Sequence, residues 1–333
     1  MTGQSAQTAV PHEIEDLARR RAEARAARDW AAADVLRGEI EAAGWKVIDQ
    51  GLRFRLEAAH PPDLEVGGRT RYGSSESVPS RLHEPPTALA TVVLLADRWP
   101  EDLARALDGL RAHSPVGTQV VIVVNDPTPE QADALEGEPA PIAGAAPEQV
   151  WTSAPLGHAA AQNAGIRRST GELVILLDTS IEPTGDIVTP LVEVLRDPTV
   201  AVTGGWGIRS HDLRHFDDAA PGDVDAIEAY VLAFRRKDYV ERGPLDEHFR
   251  FYRNLDIWWS LVLRDAGEDS PHRRAVRVEF PATRHAHRGY TSLSEPERER
   301  LSRRNFYRII DRFGARRDLL VESGVSGRKG GAG

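Results

Sequence analysis

The run Gly171-Glu172-Leu173-Val174-Ile175-Leu176-Leu177-Asp178-Thr179-Ser180 constrains the fold more than any other segment of this chain. Its unbroken aliphatic stretch reads as a buried strand. Open α/β sheets place their ligand chemistry outside the carboxyl ends of their strands, and this strand delivers Asp178 to such an end. Two acids spaced one residue apart would grip a divalent cation, whereas here the third position is Ser180.

Length bounds the architecture next. A chain of 333 residues with 41% hydrophobic content accommodates one large α/β domain and a small companion. The absence of cysteine excludes a disulfide framework, a thiolate metal site and a cysteine nucleophile. A formal charge of −9 argues against a broad nucleic-acid footprint. No apolar run approaches the ~20 residues of a membrane span. The start Met1-Thr2-Gly3-Gln4 lacks a basic stretch followed by an apolar block, so a cytoplasmic protein is expected.

Composition changes along the chain predict its divisions. Residues 1–12 are expected to be disordered. Within 13–56, Ile14, Leu17 and Ala18 share a helical face, Asp29 is placed to cap a second helix, and Gly44 to stop it. The alternation from Trp45 to Leu56 then predicts a β-hairpin. Residues 57–87, rich in Pro, Gly, Ser and charge, read as a linker. From residue 88 to 313, strands at 91–96, 119–124 and 172–177 alternate with helices at 101–112 and 159–169, as in a βαβ array. Residues 314–333 are expected to form a flexible tail.

Several ordered motifs resemble the GT-A fold of family-2-like inverting glycosyltransferases, a Rossmann-like mixed sheet that binds nucleotide-diphospho-sugars. They include Thr91-Val92-Val93-Leu94-Leu95 before Asp97, Val123-Val124-Asn125-Asp126, Gly157 through Asn163-Ala164-Gly165, and Asp178-Thr179-Ser180. Phe234-Arg235-Arg236, Gly243-Pro244-Leu245-Asp246-Glu247, Asp256 through Gly267, and His285-Ala286-His287 follow in the same order. The resemblance implies a donor site at Asp97, Asn125, Asp126, Gly157, Asn163, Asp178 and Ser180, with a UDP-sugar as donor. It implies an acceptor side at Trp206, Arg235, Arg236, Asp246 and Glu247. It further implies Asp256 as the general base, and a Mn²⁺ or Mg²⁺ ion on Asp178 and His287. The segment 13–56, with Arg25, Asp29-Trp30-Ala31 and Asp49, is similar to the small C-terminal module of cysteinyl-tRNA synthetases, which implies tRNA as a partner to be weighed.

The residues also admit plainer readings. Asp256 suits a helix N-cap as well as a base, and Asp178 suits a turn. Arg235 and Arg236 are either solvated or face an acceptor or phosphate. Trp206 is either core or a saccharide-stacking surface. Arg19, Arg20, Arg21, Arg25 and Arg28 form either a solvated helix face or an RNA contact. Two functional classes stay open: a transferase, and a non-catalytic relative that binds nucleotide or tRNA. A dehydrogenase is disfavoured because no G-x-G-x-x-G follows the first strand.

Overall fold

The computed structural model describes residues 10–50, 53–96, 98–137, 139–267 and 271–321. The chain divides into two compact units, residues 1–74 and 75–333.

In the first unit, helices α1 (His12–Ala26) and α2 (Trp30–Ala42) precede the hairpin of β1 (Trp45–Gln50) and β2 (Arg53–Ala58). Ile14, Ala18, Ile40 and Trp45 form its core. Asp29 caps α2, its Oδ1 accepting the Ala32 amide at 3.0 Å. The arginine cluster is largely committed to the fold. Arg21 is buried and donates twice to Asp49, at 2.9 and 3.1 Å, while Arg25 reaches the same carboxylate at 2.5 Å. These arginines hold Asp49 below the usual carboxylate range, the Arg21 hydrogen bond contributing most. A second hairpin, β3 (Leu64–Val66) with β4 (Arg69–Tyr72), occupies part of the segment read as a linker.

The second unit runs β5 (Ala88–Ala96), α3 (Pro100–His113), β6 (Thr118–Val124), α4 (Pro129–Ala134), β7 (Glu148–Thr152), α5 (His158–Arg167) and β8 (Gly171–Leu177). It continues with β9 (Ile181–Pro183), α6 (Val188–Leu195), β10 (Val200–Gly204), β11 (Gly207–Arg209), β12 (Asp217–Asp218), β13 (Gly222–Val224), β14 (Ala226–Ile227) and β15 (Val231–Arg235). The last elements are α7 (Arg236–Arg242), α8 (Leu255–Arg264), β16 (Arg274–Arg277), β17 (Ala282–Arg284), α9 (Arg288–Thr291) and α10 (Glu295–Phe313). Within this unit the large sheet has the order β13-β16-β10-β15-β8-β5-β6-β7.

Strands β8, β5, β6 and β7 are parallel and covered on both faces, which explains their near-continuous aliphatic sequences. Registers Ala96↔Val124 and Val93↔Leu176 bring the carboxyl ends of β5, β6 and β8 to one edge. Strand β15 returns antiparallel to β8, with Val231 opposite Leu177, and so carries the residues just before it to that same edge.

Three boundaries differ from the expectations. Val10 packs against the first core and α1 begins at His12, so order starts before residue 13. Residues 75–87 are docked on the second unit: Arg167 Nε donates to Val78 O at 2.8 Å, and Arg236 donates to the carbonyls of Arg81 and Glu84 at 3.2 and 2.7 Å. Proline- and glycine-rich composition signalled irregular backbone correctly, but its carbonyls are bound by arginines distant in sequence. Past residue 313, Leu319 and Leu320 are buried, and the Val321 amide donates to Asp225 at 2.7 Å. The predicted disorder of 1–9 and 322–333 falls outside the described residues.

Gly171 marks the tightest strand contact near the entrance of β8. A Cβ there would lie 2.4 Å from Thr91 N and 2.5 Å from the Ala90 carbonyl carbon. Gly171→Ala should therefore destabilise the second unit by about 1–3 kcal/mol, measured as a lower urea midpoint; an unchanged midpoint would show that the strands part freely.

Candidate active site

The site grows from the carboxyl end of β8. Asp178 follows Leu177, and its amide donates to Tyr230 O at 3.0 Å, fastening the strand end to the residue before β15. The Asp178 carboxylate turns back, Oδ1 accepting the Ser180 amide at 2.8 Å, while Oδ2 faces His287 Nε2 at 3.3 Å. Burial works against ionisation of this group, yet the hydrogen bond and charge of His287, together with Ser180, hold Asp178 below the usual carboxylate range.

Asp256 approaches from the first turn of α8. Its Oδ2 accepts the Ala229 amide at 3.1 Å, and its Oδ1 accepts the Ile257 amide at 2.9 Å. Burial pushes its pKa up, opposed by those backbone donors. The two acids are thus secured to adjacent residues, Ala229 and Tyr230, which brings Asp178 and Asp256 to one sheet edge from elements widely separated in sequence. The N-cap reading of Asp256 is excluded by position: it lies inside the helix, and Asn254 holds the cap.

Aromatic and cationic groups gather around this edge. Trp206 meets Tyr230 edge-on at 5.6 Å and Phe280 at 6.1 Å. The Arg284 guanidinium lies 4.8 Å from the Tyr230 ring centre and 5.8 Å from that of Trp206. On the other flank, Tyr252 stacks on His287 at 4.7 Å and meets His158 at 6.1 Å. Burial drives the His158 pKa down to about 4, so this ring is neutral at neutral pH. Beside Asp256, burial and the neighbouring carboxylate push Glu228 up to about 7.

A divalent cation fits the Asp178 end by its donor chemistry. Asp178 offers a carboxylate, and Ser180 Oγ is buried with no hydrogen-bond partner of good geometry. Oxygen donors suit Mg²⁺ and Mn²⁺, and an imidazole is more compatible with Mn²⁺. His287 Nδ1 accepts the Tyr290 amide at 3.0 Å, which places the proton of the neutral ring on Nε2, the nitrogen facing Asp178. Binding through Nε2 would require that proton to move, making Asp178 the firmer ligand. A separate trio on the loop after β11, His211, Asp212 and His215, has ligand atoms within 4.8 Å of one another.

Other residues expected at the site have different work. Asn163 is buried with all four hydrogen-bonding positions filled, by Leu245 O and N, Glu247 Oε1 and the Tyr239 hydroxyl, and so cannot contact a donor. Gly157, at φ 90°, lets the chain pass Arg250: a Cβ would lie 3.2 Å from Arg250 Cα. The first amides of α5, from His158 and Ala159, already donate to Arg250 O and Phe249 O, so neither is available to a diphosphate.

Arg235 and Arg236 are corrected to structural residues at the opposite edge. Arg235 sits opposite Leu173, four residues along the strand from the Val231↔Leu177 pair, or ~13 Å at strand spacing. Its guanidinium donates to Leu195 O, Asp197 O and Val200 O, and Arg236 donates to Ser169 O, Arg81 O and Glu84 O. Both line a cavity of about 620 Å³ with Leu82, Glu172 and Lys237. Glu247 accepts from Ser75 and Asn163, and Asp246 pairs with His248 and Arg308. These acids clamp chain segments together instead of meeting an acceptor.

At the end of β6, Asn125 Oδ1 accepts the Leu156 amide at 3.0 Å, while Asp126 is exposed with a left-handed backbone at φ 52°. Asp97 lies outside the described residues. Sequence reading missed Glu228, Tyr230, Tyr252, His158 and Arg284. The available signal was topological: a strand returning antiparallel to β8 must deliver its preceding residues to the Asp178 edge.

Comparison with known proteins bears on this geometry. Residues 92–247 match the model of Glycosyl transferase family 2. A structure of GalNAc-T7 with UDP, GalNAc and Mn²⁺ is similar at a TM-score of 0.50 and 15% identity, covering 67% of this chain and 48% of that one. The mannosyltransferase PcManGT from Pyrobaculum calidifontis, in complex with GDP-Man and Mn²⁺, gives 0.43 and 17% over 61% of this chain and 59% of that one. S. aureus TarS 1–349 gives 0.44 and 10% over 67% and 72%, respectively. A cysteine–tRNA ligase from Opitutus terrae is 48% identical over 50 residues, so the chain spans 11% of that relative and 15% of itself is matched. The fold is a mixed α/β sheet of the GT-A kind, and the match over 92–247 supports a glycosyltransferase. Among the described residues, no helix is long and apolar enough to cross a membrane.

The raised Glu228 pKa links stability to pH. A carboxyl whose folded pKa of about 7 exceeds the ordinary glutamate value of 4.5 favours the fold fully below 4.5 and loses that contribution as pH rises through 7. Glu228→Gln, which does not titrate, should gain stability relative to the parent protein across that interval in urea titrations, with a constant difference above about pH 8. Parallel pH profiles for the two proteins would contradict the assignment.

Proposed function

We propose that this protein transfers a sugar, with inversion, from a nucleotide-sugar donor to an acceptor hydroxyl, with UDP as the nucleotide. The convergence of Asp178 and Asp256 on Tyr230 and Ala229 carries the reading. It gives one cleft a donor end and a basic end, and the family match over residues 92–247 supports the same chemistry.

In this mechanism Asp256 removes the acceptor proton as the hydroxyl oxygen attacks the anomeric carbon. The bond from that carbon to the diphosphate oxygen breaks, its electron pair leaves with the nucleotide, and a single in-line displacement inverts the centre. Burial strengthens Asp256 as a base, while the Ala229 and Ile257 amides favour its charged form. When bound, a Mn²⁺ or Mg²⁺ ion held by Asp178 with His287 would supply positive charge toward the leaving diphosphate. Ser180 stands beside Asp178 through its amide, and Asn125 and Asp126 follow β6, one strand beyond β5 on the same edge, as candidates for the nucleobase.

The non-catalytic, tRNA-associated alternative has less support. Arg21 and Arg25 of the first unit are tied to Asp49, which reduces the charge left for an RNA backbone.

Asp256→Asn tests the mechanism without removing the shape of the side chain. Turnover of UDP-sugars should fall by about 10²–10⁴, while UDP should raise the melting temperature as it does in the parent protein. Undiminished turnover would remove Asp256 from the base role.

A further inference from the structure

Two polar side chains near Tyr230, those of Glu228 and Arg284, make no side-chain hydrogen bond or ion pair among the described residues. Glu228 is half-buried, with its amide donating to Trp206 O at 2.9 Å and its neighbour Ala229 bound to Asp256, yet its carboxyl makes no hydrogen bond or ion pair among the described residues. Arg284 lies opposite Ile181, three residues after Asp178, and its guanidinium rests over Tyr230 and Trp206 with no carboxylate at ion-pair distance among the described residues. Three other arginines near the sheet are committed to backbone carbonyls. Arg277 donates to Gly205 O and Ala219 O, and Arg235 and Arg236 are bound at the far edge.

A half-buried carboxyl without a partner is costly unless something supplies a hydrogen bond. A guanidinium stacked on aromatic rings keeps its planar fork available for a carboxylate or phosphate. The half-buried Trp206 adds an apolar surface suited to a sugar face.

We infer that Glu228, Arg284 and Trp206 form the acceptor subsite, and that the acceptor is a sugar or polyol bearing an anionic substituent. The substituent pairs with Arg284, one hydroxyl bonds Glu228, and the attacking hydroxyl is presented to Asp256. This inference rests on the transferase reading and deepens it by assigning the acceptor class. A neutral sugar would leave Arg284 unused, whereas an anion placed there would lie beyond the reach of the committed arginines.

Isothermal titration of the full chain, saturated with UDP and MnCl₂, with glucose, glucuronate and glucose 6-phosphate separates the outcomes. The better of the two anions should bind at least about tenfold more tightly than glucose, and whether it is the sugar acid or the phosphate identifies the substituent. Arg284→Gln should reduce that preference to about threefold or less, Arg284→Lys should retain part of it, and Glu228→Gln should weaken all three sugars. UDP affinity should be unchanged in each variant. Glucose binding as tightly as both anions would overturn the proposal. So would loss of UDP affinity in Arg284→Gln with sugar binding intact, which would place this arginine on the leaving diphosphate. If UDP fails to bind the parent protein, the transferase reading falls separately, and the same sugar titrations without UDP decide the subsite by the same criteria.

Discussion

The backbone of Ala229-Tyr230 is the constraint on which the cleft depends. One residue donates its amide to Asp256 and the next accepts from the amide of Asp178, so two acids separated by 78 positions in sequence are fixed to neighbouring peptide groups. Their placement follows from the antiparallel pairing of β15 with β8, in which Val231 lies opposite Leu177. A slip of one residue would turn Tyr230 to the other face of the sheet. Trp206, Glu228 and Arg284 would lose their common surface with it.

Electrostatics then separates the roles of the acids. Asp178 faces His287 and stays ionised despite burial. Asp256 and Glu228 share a drier region in which burial outweighs the nearby arginines, and both are pushed upward. Such a division gives one end of the cleft affinity for positive charge and the other end basicity. The arginines that look equally available in sequence divide just as sharply. Arg235 and Arg236 are consumed by carbonyls at the entrance of β8, while Arg284 is held on aromatic rings at its exit.

Much of this architecture was legible in local sequence. Aliphatic runs marked the parallel strands because burial on both faces admits few polar residues, and the strand ending at Asp178 pointed to the edge that carries the candidate site. Asp256 and His287 stand in ordered motifs, and the structure brings both to that edge, where Trp206, read as either core or a stacking surface, packs against Tyr230. What local patterns could not show was the destination of side chains across the fold. Asn163 sits in a motif but is exhausted by contacts with Tyr239, Leu245 and Glu247. Residues 75–87 read as a linker because nothing in their composition reveals that Arg167 and Arg236 bind their carbonyls. Glu228 and Arg284 lack any motif, and their significance arises only from the antiparallel return of β15 and the pairing of β17 with β9.

We propose that Asp178 organises a metal-assisted nucleotide site at the end of β8. It is tested most directly by calorimetric titration of UDP, with and without Mn²⁺, into the parent protein and Asp178→Ala. UDP affinity in the parent should rise with Mn²⁺, and the variant should lose that gain, with affinity at least about tenfold weaker in the presence of the ion. Equal UDP affinity in the two proteins under both conditions would contradict the account.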